Sequence, residues 1–535
     1  MIRVLLSLIL FGGVFIMSHL FYEYLNPAKH FFLLISSLLL LIWCFISRKG
    51  VQKLFDSLRS RGLFWGIAIV CLLVTLHGFL QYFRILPSYH RAFPITGTFE
   101  NPAGFATVQA AMFPFVFYLC FDKESSRLQK IFALAISLMC LASVVLSGSR
   151  MGFLGICAAI MVILAFTDPV SSFFKAHRWA WIPILVICVS AFIALYYIKK
   201  DSADGRVFIW ARCIDLIKER PLFGYGYYGF EHNYMSAQAN YFRANPDSPY
   251  VMLADNVTQP FNEYLKLTVN YGIVGLTVAV ILLIWVLFRL FKSDRQTKIL
   301  GLSFVASVFV MCQFSYPYMY KVLWLLSIMA IAPAFLKPGK ELVIPGYLRI
   351  IFSSLLFGGL FLSLRTTYYQ MKWTEISYRS IKGRTERMLP YYEEMRHVMR
   401  NNPFFFYNYA AELNSIQRYR ESIEFLDECA KNWNDYRVQI LYSDNYAKMG
   451  VMDSALIACD QAYNMIPSRF EPLYRKMLVY GISNDSINAV RMAYEIIEKP
   501  VKVRSEETKK MISMSEQVIS RYDFENEVVI PPNEQ

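Results

Sequence analysis

What most constrains the fold of this chain is a succession of eleven long, weakly charged apolar stretches, near residues 4–20, 31–47, 63–83, 103–121, 130–147, 151–167, 179–198, 268–291, 299–315, 320–336 and 347–366. The hydrocarbon core of a bilayer, about 30 Å thick, takes roughly 20 apolar residues per helix. Inside it every backbone N–H and C=O must be bonded internally, so such stretches fold as helices. Composition agrees: 56% of the residues are hydrophobic and 18% charged, against about 25% charged in soluble domains. The expected fold class is all-α, a polytopic transmembrane helix bundle of about eleven spans followed by a soluble α-helical region. The first stretch, in MIRVLLSLILFGGVFIMSHLFYEYLN, has no small-x-small cleavage site and a second span follows at once. It reads as a retained helix rather than a removed signal.

Lysine and arginine accumulate in loops that stay cytoplasmic. Here they follow the even-numbered spans: Arg48, Lys49, Lys53, Arg59 and Arg61, then Lys123, Arg127 and Lys130, then Lys175 and Arg178, then Arg289, Lys292, Arg295 and Lys298, then Lys337, Lys340 and Arg349. The alternate loops hold few, chiefly Lys29, Arg84, Arg91, Arg150 and Lys321. This asymmetry predicts a cytoplasmic N-terminus. With eleven spans, it puts the loop 199–267 and everything beyond about residue 367 outside the cytoplasm. Topology also accounts for much of the net charge of +14, so no nucleic-acid partner is implied. The ten cysteines have no ligand-like spacing, and Cys44, Cys71, Cys120, Cys140, Cys157, Cys188 and Cys312 fall in or beside apolar spans. They read as small buried hydrophobes rather than disulfides or metal ligands.

Past residue 395 the composition turns polar, and small residues recur in ESIEFLDECA, MDSALIACDQAY and DSINAVRMAYEI, with Ser422, Ala455 and Ala489 spaced by 33 and 34. A period of about 34 residues belongs to stacked helix pairs, in which small residues let two helices approach closely. Pro467 and Pro500 stand where the second and third copies should end. Residues 396–520 therefore resemble a short tetratricopeptide array, although no copy carries the full family pattern. The array follows a membrane domain over 1–366 and a helical connector over 367–395, and precedes a tail over 521–535. Two roles stay open for it: a face that binds a peptide or protein partner, and a stack that props the membrane domain.

Three segments of the membrane half hold more polar groups than a plain bundle needs. In ITGTFENPAGFATVQAAMFPF, Thr96, Gly97, Glu100, Asn101 and Pro102 stand directly before an apolar helix. They suit a turn with a helix N-cap, while a carboxylate and an amide at the outer mouth of a helix also suit a sugar. In LSGSRMGFLG a Ser-Gly-Ser break puts Arg150 between two apolar runs. An arginine there is costly unless it is paired, faces a polar cavity or snorkels to the interface. The third segment is the large loop, DGRVFIWARCIDLIKERPLFGYGYYGFEHNY with DNVTQPFNEYLKLTVNYGIVGL. Residues 206–218 have helical spacing, Pro221 ends that helix, and Gly224, Gly226 and Gly229 form an aromatic-lined turn. Aromatic faces such as Trp210, Tyr225 and Tyr264, with the amides of Gln259 and Asn262, suit a polyhydroxylated ligand with an anionic tail.

The order TGTFxNPxxFA, SGSR, R-x3-W with PLFGYG, then FNEYL with NYGIVGL, on a frame of eleven or twelve helices with its large outer loop late, resembles the O-antigen ligase family. That superfamily includes O-antigen ligases, bacterial O-oligosaccharyltransferases and some polysaccharide polymerases. The likeness is close over roughly residues 90 to 290 and elsewhere is one of topology. It implies an inner-membrane enzyme that moves a glycan from a polyprenyl-diphosphate carrier to a lipid or protein acceptor on the periplasmic face, without metal or nucleotide cofactor. Arg150 and Arg206 match the family's two motif arginines, and guanidinium forks suit a diphosphate leaving group. Many ligases carry a histidine just before the Asn of the HN-x-YL motif, whereas Phe261 stands there in this chain. Glu263 and His232 are the candidate bases in its place, and Glu263 also reads as a helix cap. Glu100, Asn101, Trp210, Tyr225, Gln259, Asn262 and Tyr264 are the expected substrate contacts. A noncatalytic transporter or scaffold is the alternative class, against which no inverted repeat or pair of broken central helices is visible.

Overall fold

The computed structural model describes residues 1–23, 25–167, 179, 182, 186, 200–336 and 342–527, and the described residues are helical without a strand. Apart from residues 179, 182 and 186, the expected span at 179–198 lies outside them, with Cys188, as do Lys175, Arg178, Lys337 and Lys340. Each of the other ten apolar stretches contains a helix. Six are long and apolar enough to cross a membrane: Asn26–Ile46, Arg61–Tyr82, Arg127–Leu146, Glu263–Phe291, Arg295–Phe314 and the run Gly346–Arg396. Ile2–Phe15, Arg150–Phe166 and Val322–Phe335 are shorter apolar helices, and Pro102–Tyr118 forms the tenth. The chain is a multi-pass membrane protein.

Two compact units emerge. One comprises Met1–Ile198, Phe261–Tyr264 and Thr277–Glu375, the other Lys199–Pro260, Leu265–Leu276 and Ile376–Gln535. The large loop thus groups with the soluble tail. The boundary that composition suggests near residue 367 falls inside the unbroken helix Gly346–Arg379. Nothing between 367 and 379 forbids helical backbone; the interruption comes at Gly383, whose φ of +79° leaves the helical region.

In the first unit Pro102–Tyr118 is the central helix. It packs against Arg61–Tyr82, Arg127–Leu146, Arg150–Phe166, Arg295–Phe314 and Val322–Ile331, and nearly all of its residues are buried. Its small residues, Gly104, Ala106, Ala110 and Ala111, allow that close approach in a setting where lipid supplies no hydrophobic drive between helices. The buried Gln109 ties three helices together: its amide donates to Thr75 Oγ1 at 2.7 Å and accepts from the thiols of Cys71 and Cys140 at 3.1 and 3.5 Å. These two cysteines are therefore weak donors as well as apolar filling. All nine described cysteines are free. Leu128, Ile131, Ile281, Trp285, Leu355 and Phe361 point outward, as side chains facing lipid should.

In the second unit the tail forms three helix pairs and a last helix: Pro403–Ser415 with Tyr419–Ala430, Tyr436–Lys448 with Met452–Met465, Glu471–Ile482 with Ser486–Glu498, then Glu506–Glu527. First helices begin at 403, 436 and 471 and second helices at 419, 452 and 486, so equivalent starts are 33 to 35 residues apart. Ser422, Ala455 and Ala489, the small residues that set the register in the sequence, are all buried. The Ser422 hydroxyl donates to the Ala410 carbonyl at 2.7 Å, across its own pair. The loop contributes two helices, Lys200–Glu219 and Gly229–Ala244, which pack on each other. They enclose a small core of Phe208, Phe242 and Ala254. Gly229–Ala244 also packs on the tail helix Met452–Met465.

Candidate functional site

The glycine turn of the loop and the NYG segment, separate motifs in the sequence, are interlocked through their backbones. Helix Glu263–Phe291 breaks at Gly272, with φ 66° and ψ −169°, a region open in practice only to glycine. In a continuous helix the Val269 and Asn270 carbonyls would accept from the N–H groups of Ile273 and Val274. Instead Val269 O accepts from Tyr225 N at 3.1 Å and Asn270 O from Gly226 N at 2.7 Å, while Ile273 N donates to Pro221 O at 2.8 Å and Val274 N to Leu222 O at 3.2 Å. The turn thus satisfies groups that the break exposes, as buried backbone requires. The buried Asn270 side chain completes the lock, accepting from Phe230 N at 2.9 Å and donating to Tyr227 O at 2.8 Å.

Around this lock the second unit gathers five of the expected residues. Half-buried Arg206 lies one helical turn before Trp210 on Lys200–Glu219, so both share a face. Trp210 Nε1 donates to Pro260 O at 2.9 Å. Tyr225 donates its phenol to Glu219 at 2.6 Å beneath the Arg220 guanidinium, and burial together with Glu219 pushes that phenol up to about 12. Gln259 accepts from Lys266 Nζ at 2.9 Å, and the same ammonium reaches Glu231 at 2.7 Å. His232 sets Nδ1 at 2.6 Å from the Ala430 carbonyl. Nδ1 must then carry the ring proton, which leaves Nε2 the basic nitrogen of the neutral ring. Phe223 and Tyr227 stand exposed at the tip of the turn.

The first unit holds the other six. Gly148, at φ +71°, turns the chain between two apolar helices and delivers half-buried Arg150 as the first residue of Arg150–Phe166. Asn101 caps Pro102–Tyr118, its Oδ1 accepting from Ala103 N and Gly104 N at 2.8 and 3.2 Å. Glu100 is held by Asn26 at 2.7 Å, the Tyr320 hydroxyl at 2.9 Å and Asn101 at 3.1 Å. The turn that presents both is fixed from beneath. The buried Gln81 amide bonds the backbone of Thr96 and Gly97, while Lys29 donates to Thr98 O at 2.6 Å. Lys29, which in the sequence looks like a loop charge, is a buried structural ammonium set over the Phe99 ring. Asn262 caps the following helix through Tyr264 N and donates to Gln313 O. Glu263 Oε1 accepts from Tyr318 N at 3.1 Å, and Tyr264 donates to Phe309 O at 3.4 Å. Tyr316 connects the two groups, its hydroxyl near Asn101 Nδ2 at 3.3 Å and its ring beside Phe261.

Several participants have no counterpart among the residues picked from the sequence: Asn270, Lys266, Asn26 and the three tyrosines of Tyr316–Tyr320. The run SYPYMY, polar and aromatic between two apolar stretches, carries a legible signal; Asn270 lies inside a quoted motif but reads there as one more helical residue. Glu23 is a further carboxyl of interest, raised by burial and by the neighbouring Glu100 charge, a combination common at functional sites.

No curated protein matches the chain. Nine of the eleven expected site residues, from Arg150 to Tyr264, lie inside one matched segment, and Glu100 and Asn101 precede it: residues 134–280 match the family model of O-antigen ligase.

Proposed function

We propose that this protein transfers a glycan from a polyprenyl-diphosphate carrier to an acceptor hydroxyl or amine at the periplasmic face of the bacterial inner membrane. The observation that carries the reading is the O-antigen ligase match over 134–280, which contains both motif arginines and both halves of the backbone lock. In the reaction the acceptor's oxygen or nitrogen forms a bond to the anomeric carbon from the side opposite the carrier. The bond from that carbon to the diphosphate oxygen breaks, its electron pair stays on the diphosphate, and the acceptor's proton passes to a base. Arg150 and Arg206 suit the growing negative charge, since guanidinium groups stay ionised and bind phosphate oxygens in pairs. His232, through Nε2, and Glu263 are the bases to compare. Polymerisation would use the same donor chemistry with a growing glycan as acceptor.

Arg150→Ala and Arg206→Ala are each expected to lower transfer in isolated membranes by about 10²-fold or more, the scale of removing one preorganised electrostatic donor. Insertion and detergent stability should be kept. Parental transfer by both variants would refute the assigned chemistry. The tail, read as tetratricopeptide-like and periplasmic, belongs to the same proposal.

A further inference from the structure

The loop supplies polar side chains to the ends of three tail helices. Helix termini leave backbone groups that need partners, and here those partners come from another part of the chain. His232 sits on the carbonyl of Ala430, the last residue of Tyr419–Ala430. The fully buried Gln238 donates to the carbonyl of Met465, the last residue of Met452–Met465, at 2.6 Å, and to Asp255 O at 3.2 Å, while accepting from the Tyr234 hydroxyl at 2.9 Å. Asn256 donates to Asp435, the N-cap of Tyr436–Lys448, at 2.7 Å. Lys502 returns a bond from the tail to Ala254 O at 2.8 Å, and Asn434 N reaches Glu231 O. Surface ion pairs such as Arg469 with Asp255 add little; the buried amide and the helix-end carbonyls carry the contact, because a buried polar group left unpaired costs about 1–3 kcal/mol.

The same loop helix, Gly229–Ala244, begins at the backbone lock, where Asn270 binds Phe230 N. Bonds therefore run without interruption from the tail, along one helix, to the glycine turn and the broken start of Glu263–Phe291. We propose that the partner of this tail surface is the chain's own loop. The helix pairs form an intramolecular brace that fixes the glycine turn, with Gln238 and Asn270 as positioning residues. The consequence for catalysis rests on the transfer reading above; the brace itself does not. An acceptor protein would have to displace Gly229–Ala244 to reach this surface.

Hydrogen–deuterium exchange on the full chain in detergent tests it, with Gln238→Ala, Asn256→Ala and Asn270→Ala beside the parent. The first two are expected to speed exchange about tenfold both in Gly229–Ala244 and in the turn amides of Tyr225 and Gly226, leaving Arg295–Phe314 unchanged. Asn270→Ala should open the turn while Gly229–Ala244 stays protected by the tail. Faster exchange of the helix with an unchanged turn, in both Gln238→Ala and Asn256→Ala, would overturn the brace. Asn256 is only half-buried, so its variant remains informative should Gln238→Ala misfold. Glycan transfer measured on the same variants separates the two readings: coupled opening with parental transfer upholds the brace and counts against the catalytic role of the turn.

Discussion

At the scale of single residues, the lock makes sharp demands on glycine. A Cβ at Gly272 would lie 2.1 Å from Leu222 O, and one at Gly224 would lie 2.4 Å from Val269 O; both contacts are with backbone, and both glycines have positive φ. Gly226 also has positive φ, yet its Cβ would meet nothing within 4 Å. Gly272→Ala and Gly224→Ala should therefore break the lock and abolish transfer. Gly226→Ala should cost only the left-handed strain, about 1–2 kcal/mol, and keep most activity. Folded yield and transfer in membranes check the series; equal tolerance of all three would contradict the lock. The sequence shows these glycines as turn formers but not their partners, because backbone bonds between two distant segments leave no trace in side-chain pattern. Glu100 and Asn101 differ: Asn before Pro at a helix start predicts a cap, and the cap is there. The Gln81 and Lys29 supports beneath that turn are long-range contacts with no local signature.

Among elements, the helix pairs of the tail were legible from small residues at a fixed period, since only a small residue fits where paired helices touch. The end of the last membrane helix was not, because polarity changes near residue 367 while the backbone stays helical to Arg379. Lys499 offers a test of the packing between pairs. Its ammonium donates to Pro467 O beside the Tyr463 and Phe470 rings, and burial lowers it from 10.5 to about 8. The folded state thus binds this proton less tightly than the unfolded state does. The associated stability is present in full above about 10.5 and is lost as pH falls through about 8. Tail stability, read as segment-resolved protection of 471–498, should rise across that window, and Lys499→Met should flatten the rise. An unchanged slope in the variant would show that the ammonium is not the titrating group.

For the whole molecule, the loop and the tail touch through many bonds and must share one side of the membrane. Four apolar helices separate them, Glu263–Phe291, Arg295–Phe314, Val322–Phe335 and the start of Gly346–Arg396; an even number of crossings returns the chain to the side it left. Cysteines introduced at the exposed positions Asp247 and Glu506 should accordingly react with an impermeant maleimide from the same side of oriented vesicles. Labelling from opposite sides would break this topology. The central claim is chemical, and a deletion strain compared with its parent tests it most directly, with lipid-linked glycans, lipopolysaccharide and periplasmic glycoproteins profiled together by mass spectrometry. The expected result is a build-up of lipid-linked glycan with one depleted conjugate, reversed by the parental chain and not by Arg206→Ala; unchanged pools in a strain without a redundant enzyme would contradict glycan transfer.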